Sequence, residues 1–383
     1  MGIDAGSMPD AAGLAIELAV VIPTFNEVDN VDELLSRLDR TLAGVGWEAV
    51  FVDDDSSDGT AARLQAIARL NPRVRCLRRV GRRGLSSACV EGMLATGAPF
   101  IAVMDADLQH DETLLPHMLA ALRDEAFDLA VGSRYMEGGG VKDWDASRQK
   151  ISSVATTLSQ RLLKITLNDP MSGFFMIRRP AFEAAVYGLS SIGFKILVDV
   201  VASSPQPLRV KELPYHFRNR FAGDSKLDNR VAWDYLMLLA DKTIGRFVPA
   251  RLVSFAAIGS FGVLVHLAVL TVMRGLTGQN FAASQITAVM VAMVGNFLLN
   301  NALTYRDQQL LGWHMLPGLL KFMAACSLGA FANVGVATYL HSADGGSGHW
   351  LLSAMAGILV GTVWNYGATA WLVWIKPKKK PGG

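Results

Sequence analysis

The chain has little cysteine. Cys76, Cys89 and Cys326 are far apart and odd in number, which excludes a disulfide framework and a clustered-thiol metal site; all three read as apolar fillers. An excess of either charge is also missing. The formal net charge is +2 over 383 residues, so nothing in the balance points to nucleic acid. Residues 1–16 lack the charged start and apolar core of a signal peptide, and a flexible tail ahead of a cytosolic domain is expected there. The last third lacks charge almost entirely. Leu252–Met273, Phe281–Tyr305, Phe322–Leu340 and Trp350–Ile375 contain no Asp, Glu, Lys or Arg. A membrane-spanning helix needs about 20 such residues. Four spans are therefore expected within 251–376, the shortest extended upstream by Pro317–Leu320 past Lys321.

Basic residues set the orientation of these spans. Lys242, Arg246 and Arg251 precede the first, and Lys376, Lys378, Lys379 and Lys380 follow the fourth. Arg306 and Lys321 lie between the second and third. The other two connections hold only Arg274. Both termini, with the basic tail 377–383, are expected on the cytoplasmic side. Residues 228–250 mix Val231, Trp233, Tyr235, Leu236 and Leu239 with Asp234, Asp241, Lys242 and Arg246. They read as juxtamembrane helices lying in the headgroup plane, with an ordinary amphipathic surface helix as the competing reading. Inside the spans His266, Asn296, Asn300 and Asn333 are polar. Asn296 and Asn300, i and i+4, share a helix face, and such groups either join helices or line a headgroup path.

Residues 17–227 carry a different pattern. Leu18–Pro23 and Ala49–Val52 are strand-like runs, and Val31, Leu34, Leu35, Leu38 and Leu42 recur at helical spacing between them. Further strands are expected at Arg75–Leu77, before Asp105 and at Leu129–Gly132, with a helix near Ser86–Ala95. Repeated β-α-β units predict an α/β domain with a mainly parallel sheet.

The chemistry-bearing residues fall at the ends of these strands. Asp105-Ala106-Asp107 follows the run Pro99–Met104. Read as a strand end, i and i+2 share a side, so two carboxylates can meet one hard divalent cation, with Gln109 as a third oxygen donor. Pro23–Glu27 closes the first strand and Asp53-Asp54-Asp55-Ser56-Ser57-Asp58 the second. Acids at adjacent strand ends form the rim of an α/β crevice, where a carboxylate can take a nucleobase N–H or a ribose hydroxyl. Asp29 and Asp58 also suit helix capping. Three like charges in a row are costly unless something uses them.

These segments resemble the family 2 glycosyltransferases of GT-A fold, and among them the dolichol-phosphate mannose synthase and polyprenyl-phosphate glycosyltransferase group. The matching motifs are V-I-P-T-F-N-E (21–27), V-D-D-D-S-S-D-G-T (52–60), M-D-A-D-L-Q-H (104–110), V-G-S-R-Y (131–135), M-S-G-F-F (171–175), G-F-K-I-L (193–197) and R-x-x-G-D-S-K-L (220–227). The four spans look like a GtrA-type membrane domain, with Gly295–Asn300 as the matching stretch. The resemblance implies a nucleotide diphosphate sugar donor, its nucleoside held by Pro23, Phe25, Glu27 and Asp54 together with Asp105. It implies Mg²⁺ or Mn²⁺ on Asp105, Asp107 and Gln109, a polyprenyl monophosphate acceptor, and inversion at the anomeric carbon. Arg134, Arg148, Ser152 and Arg220 fall on phosphate-binding positions, with Arg134, Arg220 and Asp107 in catalytic roles. Guanidinium suits bidentate phosphate contacts.

Relatives often carry Gly, Asn or Ser where Asp55 stands, so which of Asp53, Asp54 and Asp55 faces the base stays open. Asp169 and Ser172 either touch the acceptor or shape a turn. Lys195 and Lys226 either meet phosphate or lipid headgroups or are solvated, the latter being expected of Lys195. The implied reaction moves a hexose, mannose ahead of glucose, from GDP-mannose or UDP-glucose to the lipid phosphate. A processive polysaccharide synthase would carry Q-x-x-R-W before its channel helices, and this chain does not. A lipid-linked-sugar flippase or anchor would not need the metal and arginine motifs. The sequence leaves a homo-oligomer open.

Overall fold

The computed structural model describes residues 15–141, 146–163, 165–190, 193–218, 229–245, 247–277, 281–343 and 350–374. Two compact units divide between Thr243 and Ile244. The first runs β1 (Leu18–Thr24), α1 (Val28–Thr41), β2 (Trp47–Asp53), α2 (Thr60–Ala68), β3 (Val74–Arg78), α3 (Leu85–Ala95), β4 (Phe100–Val103), α4 (Leu115–Arg123), β5 (Leu129–Ser133), β6 (Gly140–Val141), α5 (Ala146–Leu163), β7 (Phe175–Arg178), α6 (Arg179–Val186), α7 (Ile196–Ser203), β8 (Val210–Pro214), β9 (His216–Phe217) and α8 (Asn229–Ile244).

The seven-stranded sheet has the order β3-β2-β1-β4-β7-β5-β8. All pairings are parallel except those of β7 with β4 and β5, so the sheet is mainly parallel with one reversed strand near its middle. Period-2 alternation splits each central strand between two cores. Leu18, Val20 and Ile22 of β1 and Ala49 and Phe51 of β2 pack on one face with α1 and α4. Val21, Val50 and Val52 pack on the other with α3, α7 and α8. Parallel register aligns Thr24 with Asp53 and Val21 with Val103. The loops that leave β2, β1 and β4 therefore emerge side by side, where α/β sheets bind ligands.

Helix α8 falls within the segment that the sequence sets apart as juxtamembrane. It buries Tyr235, Leu238 and Leu239 in the first unit's core. Tyr235 Oη donates to Ala155 O at 2.7 Å, and Lys242 Nζ lies 2.6 Å from the buried Asp199.

The second unit holds α9 (Ala250–Thr277), α10 (Phe281–Leu299), a π-helical turn at Asn300–Thr304, α11 (Met315–Ala343) and α12 (Trp350–Leu372). Among the described residues three stretches are long and apolar enough to cross a membrane: Ala250–Gly275, Ala283–Thr304 and Gly312–Asn333. The fourth expected span coincides with α12, 23 residues without a charged side chain. Phe261, Leu264, Ile286, Leu320, Phe331 and Leu359 are all exposed, a surface that suits lipid rather than water.

Polar groups in this unit join helices. Asn300 Nδ2 donates to Asn296 O, Thr304 Oγ1 donates to Asn300 Oδ1 at 2.9 Å, and Thr304 meets Ser254 of α9 at 2.6 Å. Asn301 exchanges two hydrogen bonds with the Leu310 backbone and accepts from Trp374 Nε1, whose ring stacks on Tyr305 at 4.0 Å. Asn296 packs on Gly262, Asn365 on Gly329, and Asn333 on Gly361. His266 is half-exposed.

Gly92 sets how closely α3 approaches the sheet. A Cβ there would meet Val21 Cγ1 at 2.5 Å and Val52 Cγ2 at 2.8 Å. Gly92→Val is expected to destabilise the first unit by about 1–3 kcal/mol through overpacking, read as a lowered midpoint in thermal unfolding of the full chain. An unshifted midpoint would mean that α3 does not lie this close.

Candidate active site

The first rim is built from the loops after β1 and β2, which are stitched together. Asn26, at φ +56°, donates its N–H to Ser56 Oγ at 2.9 Å and accepts from Ser57 N at 3.0 Å. Asp58 accepts from Val28 N, Thr60 N and Thr60 Oγ1, so it caps the starts of both α1 and α2. Asp29 lies exposed in the first turn of α1. Pro23 and Phe25 are half-buried on this rim. Glu27 accepts from Asn30 Nδ2 at 2.7 Å. The Arg83 guanidinium stands 4.2 Å from the Phe25 ring centroid, a cation–π contact.

The acidic run is used from within. Asp53 is fully buried and accepts from Ser56 N and Oγ. Asp54 accepts from Arg79 Nη1 at 2.6 Å and Gly84 N at 2.7 Å. Burial pushes its carboxyl above the usual range, against the pull of the Gly84 N–H and Arg79. Asp55, at φ +58°, pairs with Arg78 at 2.7 Å and is the most exposed of the three. Arg79 is nearly buried and also reaches Ser87 Oγ and Gly84 O. Asp55 and Asp54 thus find their counter-charges in Arg78, which ends β3, and Arg79, which follows it, and Asp54 anchors the loop beyond through Gly84. The sequence gives Arg79 no mark, because its partner lies 25 positions away.

The second rim is the Asp105–His110 loop. β4 ends at Val103, so the two acids lie in a turn beyond the strand, with Leu108 at φ +62°; strand geometry does not govern where they point. Asp105 is half-buried and Asp107 buried. Asp107 Oδ1 accepts from Gln109 N at 3.2 Å. Gln109 Nε2 donates to Arg218 O, and Arg218 N donates back to Gln109 O. His110 was part of a motif but not a site candidate. It is 2% exposed, stacked on Phe174 at 5.1 Å and edged by Tyr215 and Phe217. Its Nδ1 accepts from Asp105 N at 3.1 Å, which leaves the proton on Nε2, 3.8 Å from Asp105 Oδ2. Desolvation pulls its pKa down to about 4, so it stays a neutral prop for Asp105. Gly173 completes the wall, since a Cβ there would stand 3.4 Å from Asp105 Oδ2.

The donor set suits a hard cation. Two carboxylates and an amide oxygen share one loop, and among the described residues no group of three His, Cys, Asp or Glu side chains forms a closed cage. An open site of this kind matches Mg²⁺, which binds through one or two carboxylates plus substrate phosphates.

The third part is cationic. Arg134, just past β5, is held by the fully buried Asp169. Its Nε and Nη2 donate to the two carboxylate oxygens at 2.7 and 2.8 Å, and its backbone N–H donates at 3.1 Å. The guanidinium fork expected to grip phosphate is therefore turned to Asp169. Ser172 Oγ donates to Gly132 O at 2.7 Å, so this loop shapes and clamps, as the turn-forming reading has it. Lys195 is not a solvated lysine. It is half-buried, donates to Met171 O at 2.8 Å and lies 4.5 Å from the Phe194 ring. Arg148 and Ser152 lie on α5, but their side chains fall outside the described residues, as do Arg220 and Lys226 entirely.

A mainly parallel sheet with acids in the loops after β1, β2 and β4 and an open two-carboxylate loop is the layout of a GT-A fold. Comparison with known proteins narrows this. Residues 19–185 match glycosyl transferase family 2, and residues 254–374 match the GtrA/DPMS transmembrane domain. The chain is 35% identical over 320 residues to a dolichol-phosphate mannosyltransferase of Pyrococcus furiosus, covering 83% of this chain and 89% of that one. It is 35% identical over 254 residues to a dolichol-phosphate mannosyltransferase of Saccharomyces cerevisiae, covering 63% and 92%. A glucosyl-3-phosphoglycerate synthase from Mycobacterium tuberculosis superposes with a TM-score of 0.46 at 15% identity, over 61% of this chain and 81% of that one. The chain belongs to the family 2 glycosyltransferases, in the dolichol-phosphate mannosyltransferase group with a GtrA-type membrane domain. It is an integral membrane glycosyltransferase.

Asp169→Asn removes the counter-charge of a buried guanidinium, a change that costs about 3–5 kcal/mol in comparable pairs. Thermal unfolding of the variant is expected to move sharply down, and residual folded protein is expected to turn over slowly. Wild-type stability would show that the pair is solvated in the working enzyme.

Proposed function

We propose that the enzyme transfers mannose from GDP-mannose to a polyprenyl or dolichyl monophosphate, yielding the lipid-phosphate sugar with inversion at the anomeric carbon. The observation that carries this reading is the 35% identity over most of the chain to a dolichol-phosphate mannosyltransferase, joined to an intact Asp105–His110 loop. The reaction is a single displacement. An acceptor phosphate oxygen bonds to the sugar's C1 while the bond from C1 to the donor diphosphate breaks, and the nucleoside diphosphate leaves. A phosphate is already anionic at neutral pH, so no general base is needed, in keeping with a His110 held neutral and occupied by Asp105.

What the reaction needs is compensation for two anions brought together. Asp105, Asp107 and Gln109 would hold Mg²⁺ or Mn²⁺, which supplies charge neutralisation on the departing diphosphate. Arg134 stiffens the opposite wall through Asp169. Pro23, Phe25 and Glu27 form the nucleoside rim, with Asp54 holding its floor through Arg79 and Gly84. Arg148, Ser152, Arg220 and Lys226 remain candidates for the acceptor phosphate by motif position. The bias of basic residues supports a cytoplasmic catalytic domain with both termini on that side, where nucleotide sugars are made. The unit boundaries proposed from the sequence, 17–227, 228–250 and 251–376, follow the same division of labour.

A screen of GDP-mannose against UDP-glucose, with purified full-length protein, Mg²⁺ and a short polyprenyl phosphate, tests the donor. Preference for UDP-glucose would overturn the mannose assignment while leaving the lipid acceptor standing. Transfer should stop on chelation and return with added Mg²⁺ or Mn²⁺. Asp107→Ala is expected to lower turnover by about 10²-fold or more, the usual cost of losing a group that stabilises developing charge. Near-wild-type turnover at saturating metal would remove Asp107 from the metal site.

A further inference from the structure

Lys195 is half-buried beside the Met171–Gly173 turn, and among the described residues its ammonium makes no ion pair. It stands at the N-terminus of α7, on a turn fixed by Gly193, whose carbonyl accepts from Ser86 N at the start of α3. Its Nζ donates to Met171 O at 2.8 Å. Met171 begins the Met-Ser-Gly turn, and two residues on, Gly173 lies against Asp105 Oδ2. The ammonium group thus faces the same pocket of charge as Arg134, Asp169 and Asp105, which act on it through space.

Two cations and two carboxylates share that pocket, and the pairing among them is uneven. Asp169 has both oxygens hydrogen-bonded to Arg134 and acts on Lys195 only through space. Asp105 belongs to the metal loop. The one hydrogen bond that Lys195 makes among the described residues goes to a carbonyl, not to a carboxylate. A desolvated ammonium without a counter-ion is costly, and the cost falls when an anion arrives. Arg134 itself has turned its fork away to Asp169. Lys195 Nζ carries three donors, of which one is used among the described residues.

We propose that Lys195 binds a substrate phosphate, donating from Nζ to one of its oxygens. This rests on the reading of the enzyme as a sugar transferase between phosphates. The phosphate belongs either to the donor diphosphate or to the lipid acceptor, and both share the chemistry. Burial and the Arg134 cation pull the Lys195 pKa down to about 8, with Asp169 and Asp105 opposing. The charge that attracts phosphate is therefore present below about pH 8 and is lost as pH rises through it.

Acylation of the full-length protein with an amine-reactive ester at pH 8, quantified at Lys195 by peptide mass spectrometry, separates the two sources. Protection by a short polyprenyl phosphate alone assigns the acceptor, and protection by GDP-mannose with Mg²⁺ assigns the donor. Protection by neither overturns the proposal. In kinetics, Lys195→Gln is expected to lower kcat/KM for the protecting substrate about 10- to 100-fold, the loss of a charge-assisted hydrogen bond. Lys195→Arg, which keeps its charge, is expected to recover part of this loss and to shift the alkaline fall in kcat/KM upward from pH 8. Unchanged kcat/KM for both substrates in Lys195→Gln would also overturn it. If the wild-type enzyme transfers no sugar to any polyprenyl phosphate while an anion still protects Lys195, the phosphate site stands and the proposed reaction falls.

Discussion

Asp169 is fully buried, and its charge has to be balanced where it sits. Arg134 does this through three hydrogen bonds from one residue, two from the guanidinium and one from the backbone. Much of the crevice follows from that clamp. It ties the loop before β7 to the end of β5. It fixes the Met171–Gly173 turn, which passes Lys195 at one end and Asp105 at the other. The same loop is held from behind by Glu212 of β8, which accepts from Asn168 and Asp169 N–H groups. A buried pair of this kind is poor evidence for net stability, since desolvation consumes most of its Coulombic gain. What it supplies is position: neither group can move without stranding the other.

The rim formed by the loops after β1 and β2 repeats this logic with different residues. Asp54 and Arg79 form a buried pair that holds the Gly84 backbone, and Asp58 joins the β1 and β2 loops by capping both following helices. Acids that looked available for a ligand are largely spent on the protein. Against these paired neighbours Lys195 stands out, since its one hydrogen bond among the described residues goes to a backbone carbonyl.

Much of this domain was legible in the sequence, for identifiable reasons. Leu18–Pro23 and Ala49–Val52 alternate between two buried faces, so their apolar runs were unmistakable, and D-x-D after such a run marked the crevice. Other features were hidden. β7 reads like any short apolar strand, and its reversed direction is set by which neighbours it joins, not by Phe175–Arg178 itself. The apolar run Pro99–Met104 predicts that Asp105 and Asp107 close the strand, because Met104 is as apolar as Val103, whereas β4 ends at Val103. His110 carried a signal, its place in D-x-D-x-Q-H, but its role as a neutral prop depends on Phe174 and Tyr215, far along the chain. Lys195 reads as a solvated lysine and Arg79 carries no mark, because burial is a property of the fold and basic side chains on loops are usually solvated.

The two units handle polarity in opposite ways, which bears on where chemistry can occur. In the first, buried charges are paired across long stretches of sequence. In the second, the long helices bury amides, hydroxyls and aromatic rings, and their tightest points pair asparagine with glycine: Asn296 on Gly262, and Asn365 on Gly329. Small residues let helix backbones approach where no hydrophobic drive exists between lipid and helix. Asn296 Oδ1 and Asn365 Oδ1 are buried without a hydrogen-bond partner among the described residues, a cost that close packing must offset. Arg251 and Arg274 stand near the two ends of α9, and the apolar stretch between them carries neither carboxylate nor guanidinium. In the proposed reaction, which moves a sugar from a departing diphosphate to a lipid phosphate, charge compensation would come from the paired and half-buried ionic groups of the first unit.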